Sequence, residues 1–368
     1  MKPGKSVAII GTRGYPSYYG GFETAVRKLA PYLVDDGWNV TVFGRKGATK
    51  ADDPSRDARV GIKATRGIDS KSLSTLTYGL SASLNAFFRK PDVALVMNVA
   101  NGFWLPLLKM RGISTLVNVD GIEWDRDKWG RFAKQVLRLG AWFTAKFADE
   151  LVFDAVAIGD RWKQDFGRTG IYIPYGGDEV MASEPFGGRT HRGYVLMVAR
   201  FVPENSIHEF LEAAQILAMN WDVVLVGSSG YGNSFDQEVA KVVAREPRIE
   251  WLGHVSDDTL LFNLWQHAGT YFHGHSVGGT NPALVQAMMC GAPVVARDTI
   301  YNREVLGDAG RYVEPNAAAI AREIASVMSD AEIGENLSER AGARAISLYS
   351  WKSVCERYSQ SLALTARS

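Results

Sequence analysis

Two runs of alternating apolar strands and amphipathic helices, separated by one aperiodic stretch, constrain this chain more than any other feature. Ser6–Gly11 reads as an apolar strand, and Gly20–Val34 as a helix with Phe22, Val26, Leu29 and Leu33 at helical spacing. Strands follow at Trp38–Phe43, Val93–Met97, Thr115–Val119 and Glu150–Phe153, with helices such as Gly130–Phe147 between them. Alternation of this kind builds a parallel sheet covered on both faces. It breaks at PYGGDEVMASEPFGGRT (residues 174–190), a Gly/Pro-rich run that reads as an interdomain linker. It then restarts. Strands are expected at Gly193–Ala199, Asp222–Gly227, Ile249–Leu252, Thr270–His273 and Pro293–Ala296. Helices are expected at Ser206–Met219, Phe235–Arg245 (with Ser234 as its cap), Leu260–Ala268 and Pro282–Cys290. A chain of 368 residues exceeds one ordinary core and fits two domains. The expected fold is α/β, with two Rossmann-like domains and a ligand cleft between them at the carboxyl ends of both sheets.

Composition excludes several classes. With a net charge of +1 the chain has no global affinity for nucleic acid. The two cysteines, Cys290 and Cys355, make a poor disulfide framework and fit a reducing, cytoplasmic compartment. MKPGKSVAIIGTRG is a buried first strand running into a glycine loop, not a signal peptide. No window reaches the roughly 18 apolar residues of a spanning helix. No Cys, His and carboxylate cluster completes a metal site, and no G-x-S-x-G elbow is present.

The strongest motif is HGHSVGGTNPALVQAMMCGAPVV, His273 to Val295, which runs strand, glycine loop, helix. Asn281 suits the N-cap and Pro282 the first helical position. Gly278, Gly279 and Thr280 then expose backbone N–H groups where the helix dipole favours an anion. A tight strand-to-helix turn accounts for the same residues equally well. The opening loop GTRGYPSYYGGFET offers a second glycine-rich turn, with Gly20 and Gly21 before the helix and Arg13 as a fixed cation. That loop also admits a dinucleotide, so an NADP-dependent sugar oxidoreductase stands as the alternative. Its spacing is not G-x-G-x-x-G, and the second strand ends in Phe43-Gly44-Arg45-Lys46 without a ribose-binding acid. Asp120 and Glu123 in NVDGIEWDRDKWG lie just past a strand end, where Asp120 can take a proton or hold a hydroxyl, or serve as a turn residue. Arg200 and Glu204 in VARFVPENSIHEF follow another strand. Arg200 suits phosphate and Glu204 sugar hydroxyls; a surface cation and a helix-start acid are the plain readings.

Arg126 to Lys146 carries six basic residues against one acid, Asp127. Arg131, Lys134, Arg138 and Trp142 form one stripe, and Phe132, Val136, Leu139 and Phe143 another. This suits an anionic membrane surface, or an ordinary solvated basic face.

Taken together, GTRGYPSYYGGFET, NVDGIEW, ARFVPEN, HGHSVGGTNPALVQAM and NREVLGDAG resemble family-4 glycosyltransferases, more narrowly their bacterial rhamnosyltransferase branch. The resemblance covers nearly the whole chain in order. It implies a GT-B fold and retaining, metal-independent hexosyl transfer without a cofactor. In this branch the donor is dTDP-L-rhamnose and the acceptor a sugar linked through diphosphate to a lipid, for cell-surface polysaccharide. A nucleotide-sugar domain at 190–349 is implied. So is an acceptor domain at 1–180, braced by a last helix at 350–368. By position, Arg200 matches the phosphate-binding arginine, and Gly278, Gly279, Thr280 and Asn281 the diphosphate loop. Gly253, His254 and Val255 lie by the nucleobase. Asp120 faces the reacting sugar, with Asp154 a further polar contact and Tyr18, Glu123 and Arg126 on the acceptor side. Two departures stand out. Asn205 replaces a lysine, leaving Arg13 or Arg303 to supply charge, and Gln286 replaces the glutamate that holds ribose hydroxyls. A thymidine donor has one such hydroxyl fewer; a catalytically weak, nucleotide-sugar-binding homologue also fits.

Overall fold

The computed structural model describes residues 4–18, 20–48, 53–69, 74–126, 129–230 and 234–366, so Asp127 lies outside the described residues. The chain divides into two compact units, Met1–Tyr175 with Trp351–Ser368, and Gly176–Ser350.

Unit 1 opens with β1 (Ser6–Ile10), α1 (Gly21–Asp35), β2 (Asn39–Arg45), β3 (Gly61–Thr65), α2 (Ser74–Arg89) and β4 (Val93–Met97). It continues with α3 (Leu105–Met110), β5 (Ser114–Asn118), α4 (Arg131–Phe147), β6 (Glu150–Phe153), α5 (Val156–Phe166) and β7 (Ile171–Tyr172). Its strands form one sheet in the order β3-β2-β1-β4-β5-β6-β7, every pair parallel. The order reverses between β1 and β4, which sets the crevice of an open sheet at the carboxyl ends of those two strands. The strand β3 is absent from the sequence reading. Of GIKAT only Thr65 is buried, so this edge strand shows no apolar run.

Unit 2 holds β8 (Tyr194–Val198), α6 (Ile207–Leu217), β9 (Asp222–Val226), α7 (Ser234–Val243), β10 (Ile249–Trp251) and α8 (Asp258–His267). Then come β11 (Thr270–His273), α9 (Pro282–Met289), β12 (Val294–Arg297), α10 (Ile300–Leu306), β13 (Arg311–Val313), α11 (Ala317–Met328) and α12 (Ala331–Tyr349). The sheet order is β10-β9-β8-β11-β12-β13, again parallel throughout, with its reversal between β8 and β11. Both units are thus Rossmann-like α/β layers.

The final helix, α13 (Trp351–Thr365), belongs to unit 1. Its Val354, Tyr358 and Leu362 join a core of Val7, Ile9, Val26, Leu29, Leu33 and Leu116. The stretch from Gly176 to Thr190, read from sequence as a linker, instead packs as part of unit 2. It lacks periodicity because side chains of α8 and α9 hold its backbone. Asn263 Oδ1 accepts from Phe186 N at 2.9 Å, and His267 Nε2 lies 2.9 Å from the Ser183 carbonyl. Both cysteines are buried, and burial pushes each thiol up to about 12, which leaves them neutral and unreactive.

Candidate functional site

In unit 2 the reversal between β8 and β11 brings two loops together. After β8 come Arg200 and a 3₁₀ turn at Pro203–Asn205; after β11 comes the glycine loop before α9. Ser276 donates to the Glu204 carbonyl from both its backbone N and its hydroxyl, each at 2.9 Å. Ser206 Oγ donates to the Gly274 carbonyl at 2.9 Å. A Cβ on Gly274 would stand 2.3 Å from the Asn205 carbonyl, so only glycine permits this approach. Asn302 Nδ2 reaches the His275 carbonyl at 2.9 Å and completes the staple. Gly278 takes φ +112°, Asn281 Oδ1 accepts from Ala283 N at 2.9 Å, and Pro282 opens the helix. The N-terminus of α9 therefore begins beside Glu204.

Arg200 is exposed and forms no ion pair among the described residues. Glu204 Oε1 is buried without a hydrogen-bond partner. A buried, unsatisfied carboxylate oxygen is costly in a finished fold and is expected where a ligand supplies the donor. The substituted residues are both committed to backbone. Asn205 Nδ2 donates to the Arg200 carbonyl at 2.8 Å. Gln286 accepts from Asp178 N at 2.8 Å and donates to Asp178 O at 3.0 Å, so its amide works as a peptide mimic rather than facing a ribose. Arg303 is likewise taken: it grips Asp298 at 2.6 and 2.7 Å and stacks on Tyr312. Gly253, at φ +65°, sits at the carboxyl end of β10, two strands from β8, and accepts from Gly227 N at 2.7 Å. His254 is exposed and Val255 half-buried.

Sequence reasoning missed His273. Its Nδ1 lies 3.0 Å from the Tyr271 hydroxyl, its ring stacks on His275 at 4.3 Å, and Nε2 has no partner. Burial, then the neighbouring His275, hold its pKa well below the usual histidine value, so it is neutral.

In unit 1 the carboxyl ends of β4 and β5 carry two residues in the left-handed region, Asn98 (φ +71°) and Asp120 (φ +64°). Asn98 Nδ2 donates to Asp120 Oδ2 at 3.2 Å. Asn118 Oδ1 accepts from Asp120 N at 2.9 Å, while its Nδ2 donates to the Tyr358 hydroxyl at 2.6 Å. Non-glycine residues hold such conformations only where surroundings fix them, commonly at functional sites. Asp154 is buried at the end of β6. Burial first, then Asp120 and Asp154, raise the pKa of buried Tyr175, which places all three groups in one neighbourhood.

The remaining candidates sit apart from Asp120 in character. Buried Glu123 pairs with Arg126 Nε at 2.8 Å and accepts from Trp129 Nε1 at 3.0 Å, an internal staple. Tyr18 is exposed, donates to Asp53 at 3.1 Å and lies under Arg27. Glu23 in the first turn of α1 accepts from Arg13 N at 3.2 Å, with Gly20 and Gly21 opening that helix. Among the described residues no group of three or more His, Cys, Asp or Glu is placed to hold a metal ion.

Residues 183–344 match the family described as Glycosyl transferases group 1, and residues 76–178 match a domain of unknown function, DUF1972. The residues matched by the Glycosyl transferases group 1 model lie within unit 2. O-antigen chain mannosyltransferase B of Escherichia coli is 30% identical over 166 residues, 44% of this chain and 43% of that protein. The match spans less than half of that relative's length. Sucrose-phosphate synthase from Thermosynechococcus elongatus superimposes with a TM-score of 0.79 at 18% identity, covering 99% of this chain and 100% of its own. Anabaena HepE in complex with UDP does so at 0.77 and 18%, covering 98% and 99%. The fold is GT-B.

Proposed function

We propose that the protein is a retaining glycosyltransferase that moves L-rhamnose from dTDP-rhamnose to a lipid-diphosphate-linked sugar during cell-surface polysaccharide synthesis. One observation carries the reading: the loop after β8, which holds Arg200 and the unpartnered Glu204 carboxylate oxygen, is stapled to the glycine loop before α9 at the reversal point of unit 2. Backbone N–H groups at Gly278–Thr280, the dipole of α9 and Arg200 neutralise the leaving diphosphate as its charge grows. Glu204 accepts from donor sugar hydroxyls. Asp120, held by Asn98 and Asn118, orients the acceptor hydroxyl and draws off its proton. Support for the class comes from the mannosyltransferase relative and from HepE, which binds UDP. Support for a thymidine donor comes from Gln286, whose amide is taken by Asp178 and leaves no carboxylate there for a ribose diol.

Thermal stabilisation by a nucleotide panel tests this. A ligand at about a hundred times its dissociation constant adds roughly 2.7 kcal/mol to the native state. The expected response is selective for dTDP and dTDP-rhamnose. A shift with UDP or GDP instead overturns the donor; a shift with NADPH alone overturns the class.

The lipid-linked acceptor calls for a membrane surface, and α4 is built for one. It packs through small residues, Gly140, Ala141 and Thr144, which leaves its large side chains outside. Phe132 (79% exposed), Leu139 and Trp142 point outward, contrary to an apolar stripe that faces the core, and alternate with exposed Arg131, Arg138 and Lys146. The helix carries no acid. No helix among the described residues is long and apolar enough to cross a membrane. Each surface cation contributes about 1 kcal/mol toward an anionic leaflet, so serine at Arg131, Arg138 and Lys146 is expected to weaken binding by about 100-fold. Co-sedimentation with phosphatidylglycerol and phosphatidylcholine vesicles checks it. Equal binding of the triple variant and the wild type would remove the membrane from the proposal.

A further inference from the structure

From Met181 to Gly188 no side chain is buried, so this strap of unit 2 is held by polar ties rather than by apolar packing. The ties come from α8. Asn263 Nδ2 donates to Ser183 Oγ at 2.9 Å and to the Glu184 carbonyl at 2.8 Å, and Gln266 Oε1 accepts from Ser183 Oγ at 2.6 Å. Asn263 and Gln266 are neutral at every pH. A third α8 residue on the strap, His267, is not.

His267 is 6% exposed and joins two parts of the same segment. Its Nε2 lies 2.9 Å from the Ser183 carbonyl, and its Nδ1 lies 2.9 Å from Nδ1 of His191, with the two rings edge to face. A carbonyl only accepts, so Nε2 of His267 carries a hydrogen. In the neutral ring Nδ1 is then bare, and it accepts from His191 Nδ1–H. A first added proton is accommodated on the outer Nε2 of exposed His191. A second sets N–H against N–H and charge against charge. The closed pair therefore holds one positive charge at most, whereas parted rings hold two.

The surroundings do not relieve this. The cation beside the pair is Arg192, whose guanidinium is bound to the Ala268 carbonyl at 2.9 Å, to Ser338 at 2.9 Å and to Glu335 of α12 at 3.4 Å. Glu335 is the acid that faces the pair, and it is shared with Arg192. Arg189 is paired with Glu250 at 2.6 Å, Glu184 is exposed, and the Tyr194 hydroxyl donates to the Leu264 carbonyl at 2.6 Å. Burial first, then Arg192 and His267, lower the pKa of His191 against the opposing pull of Glu335. A lowered value means that the closed form is favoured above the free histidine value of about 6.5 and loses ground as pH falls below it.

We infer that His191 and His267 form an acid-opened clasp on the segment that leads into β8. At neutral pH one shared proton joins the rings. In acid a second charge parts them and loosens residues 181–192 from α8, while the sheet of unit 2 stays folded.

The test is amide hydrogen exchange of the full chain at about pH 7.5 and about pH 5.5, either side of the free histidine value, with rates corrected for intrinsic exchange. Protection of residues 183–192, where Phe186 N donates to Asn263 and Arg192 N to the His267 carbonyl, is expected to fall about 10-fold in acid, the effect of one proton over one pH unit. The Asp178 amide, held by uncharged Gln286, is expected to keep its protection. His267→Gln retains a donor for the Ser183 carbonyl, and His191→Asn retains one for His267; each leaves a single titrating ring. In both variants the acid effect is expected to shrink to about 3-fold or less. Equal protection of the wild type at both pH values overturns the inference, and so does an undiminished acid effect in both variants. A loss that spreads equally through β9 and β11 would be acid unfolding of unit 2 and would overturn it as well.

Discussion

Arg200→Ala is expected to lower sugar transfer from the nucleotide donor by about 10²- to 10³-fold, the usual loss when one preorganised donor to a developing anion is removed. The side chain is exposed at the end of β8 and is tied into no ion pair among the described residues, so its removal leaves packing intact. Stability is expected to stay within about 0.5 kcal/mol of the wild type, as for ordinary surface substitutions. The effect belongs to the transition state. In the proposed reaction, charge on the diphosphate grows as the glycosidic bond breaks, and the guanidinium fork of Arg200 is the group that answers it. The measurement is release of nucleotide diphosphate with the responding donor and a lipid-linked acceptor, alongside a melting curve. Wild-type turnover in the variant would show that Arg200 does not serve the diphosphate. Donor binding without turnover in the wild type would favour the binding homologue, consistent with Asn205 and Gln286 both being spent on backbone.

The alternation of apolar strands and helices made the α/β class legible, because buried parallel strands are continuous apolar runs whatever their neighbours. VALVM of β4, buried at every position, needs no tertiary context to be seen. What context alone creates stayed hidden. The strand β3 is an edge with one buried residue, and its pairing to β2 lies in the backbone. The segment after Gly176 looks like a linker because its partners, Asn263, His267 and Gln286, lie far along the chain. The amphipathic period of α4 is real, yet Gly140 and its small neighbours decide which face packs, since a Cβ there would meet the Val99 carbonyl at 2.7 Å.

The candidate site divides the same way. Glycine loops and strand-end charges can be read from residue type and spacing. Which polar atoms are already satisfied cannot. Glu123 and Arg126 look available in sequence and are paired in the fold. Asn98 and Asn101, in the unremarked run MNVANG, carry a left-handed backbone and an orphan oxygen. A positive φ at Asn or Asp leaves only a faint mark in a sequence: these residues tolerate it better than others, but the surroundings impose it.

Removing residues 351–368 is expected to unfold unit 1 and leave unit 2 standing. α13 contributes Val354, Cys355, Tyr358 and Leu362 to the unit 1 core, each at most 3% exposed. Burying such side chains stabilises by about 1.5–3 kcal/mol apiece, so the helix supplies a total comparable to the 5–15 kcal/mol that holds an entire domain together. Polar ties are lost with it. Trp38 Nε1 donates to Ser359 Oγ at 3.1 Å, and the Tyr358 hydroxyl accepts from Asn118, the residue that fixes Asp120. Truncation thus strips apolar cover from the sheet and loosens the strand end that carries Asp120. Calorimetry of the chain ending at Ser350 is expected to show the unit 2 transition alone, and limited proteolysis to leave a fragment near residues 176–350. Leu362→Ala, at a fully buried position, is expected to cost about 2–5 kcal/mol in the unit 1 transition. A truncated chain that retains both transitions would mean that α1 and the sheet close the core without α13, and that Asn118 holds Asp120 in place without Tyr358.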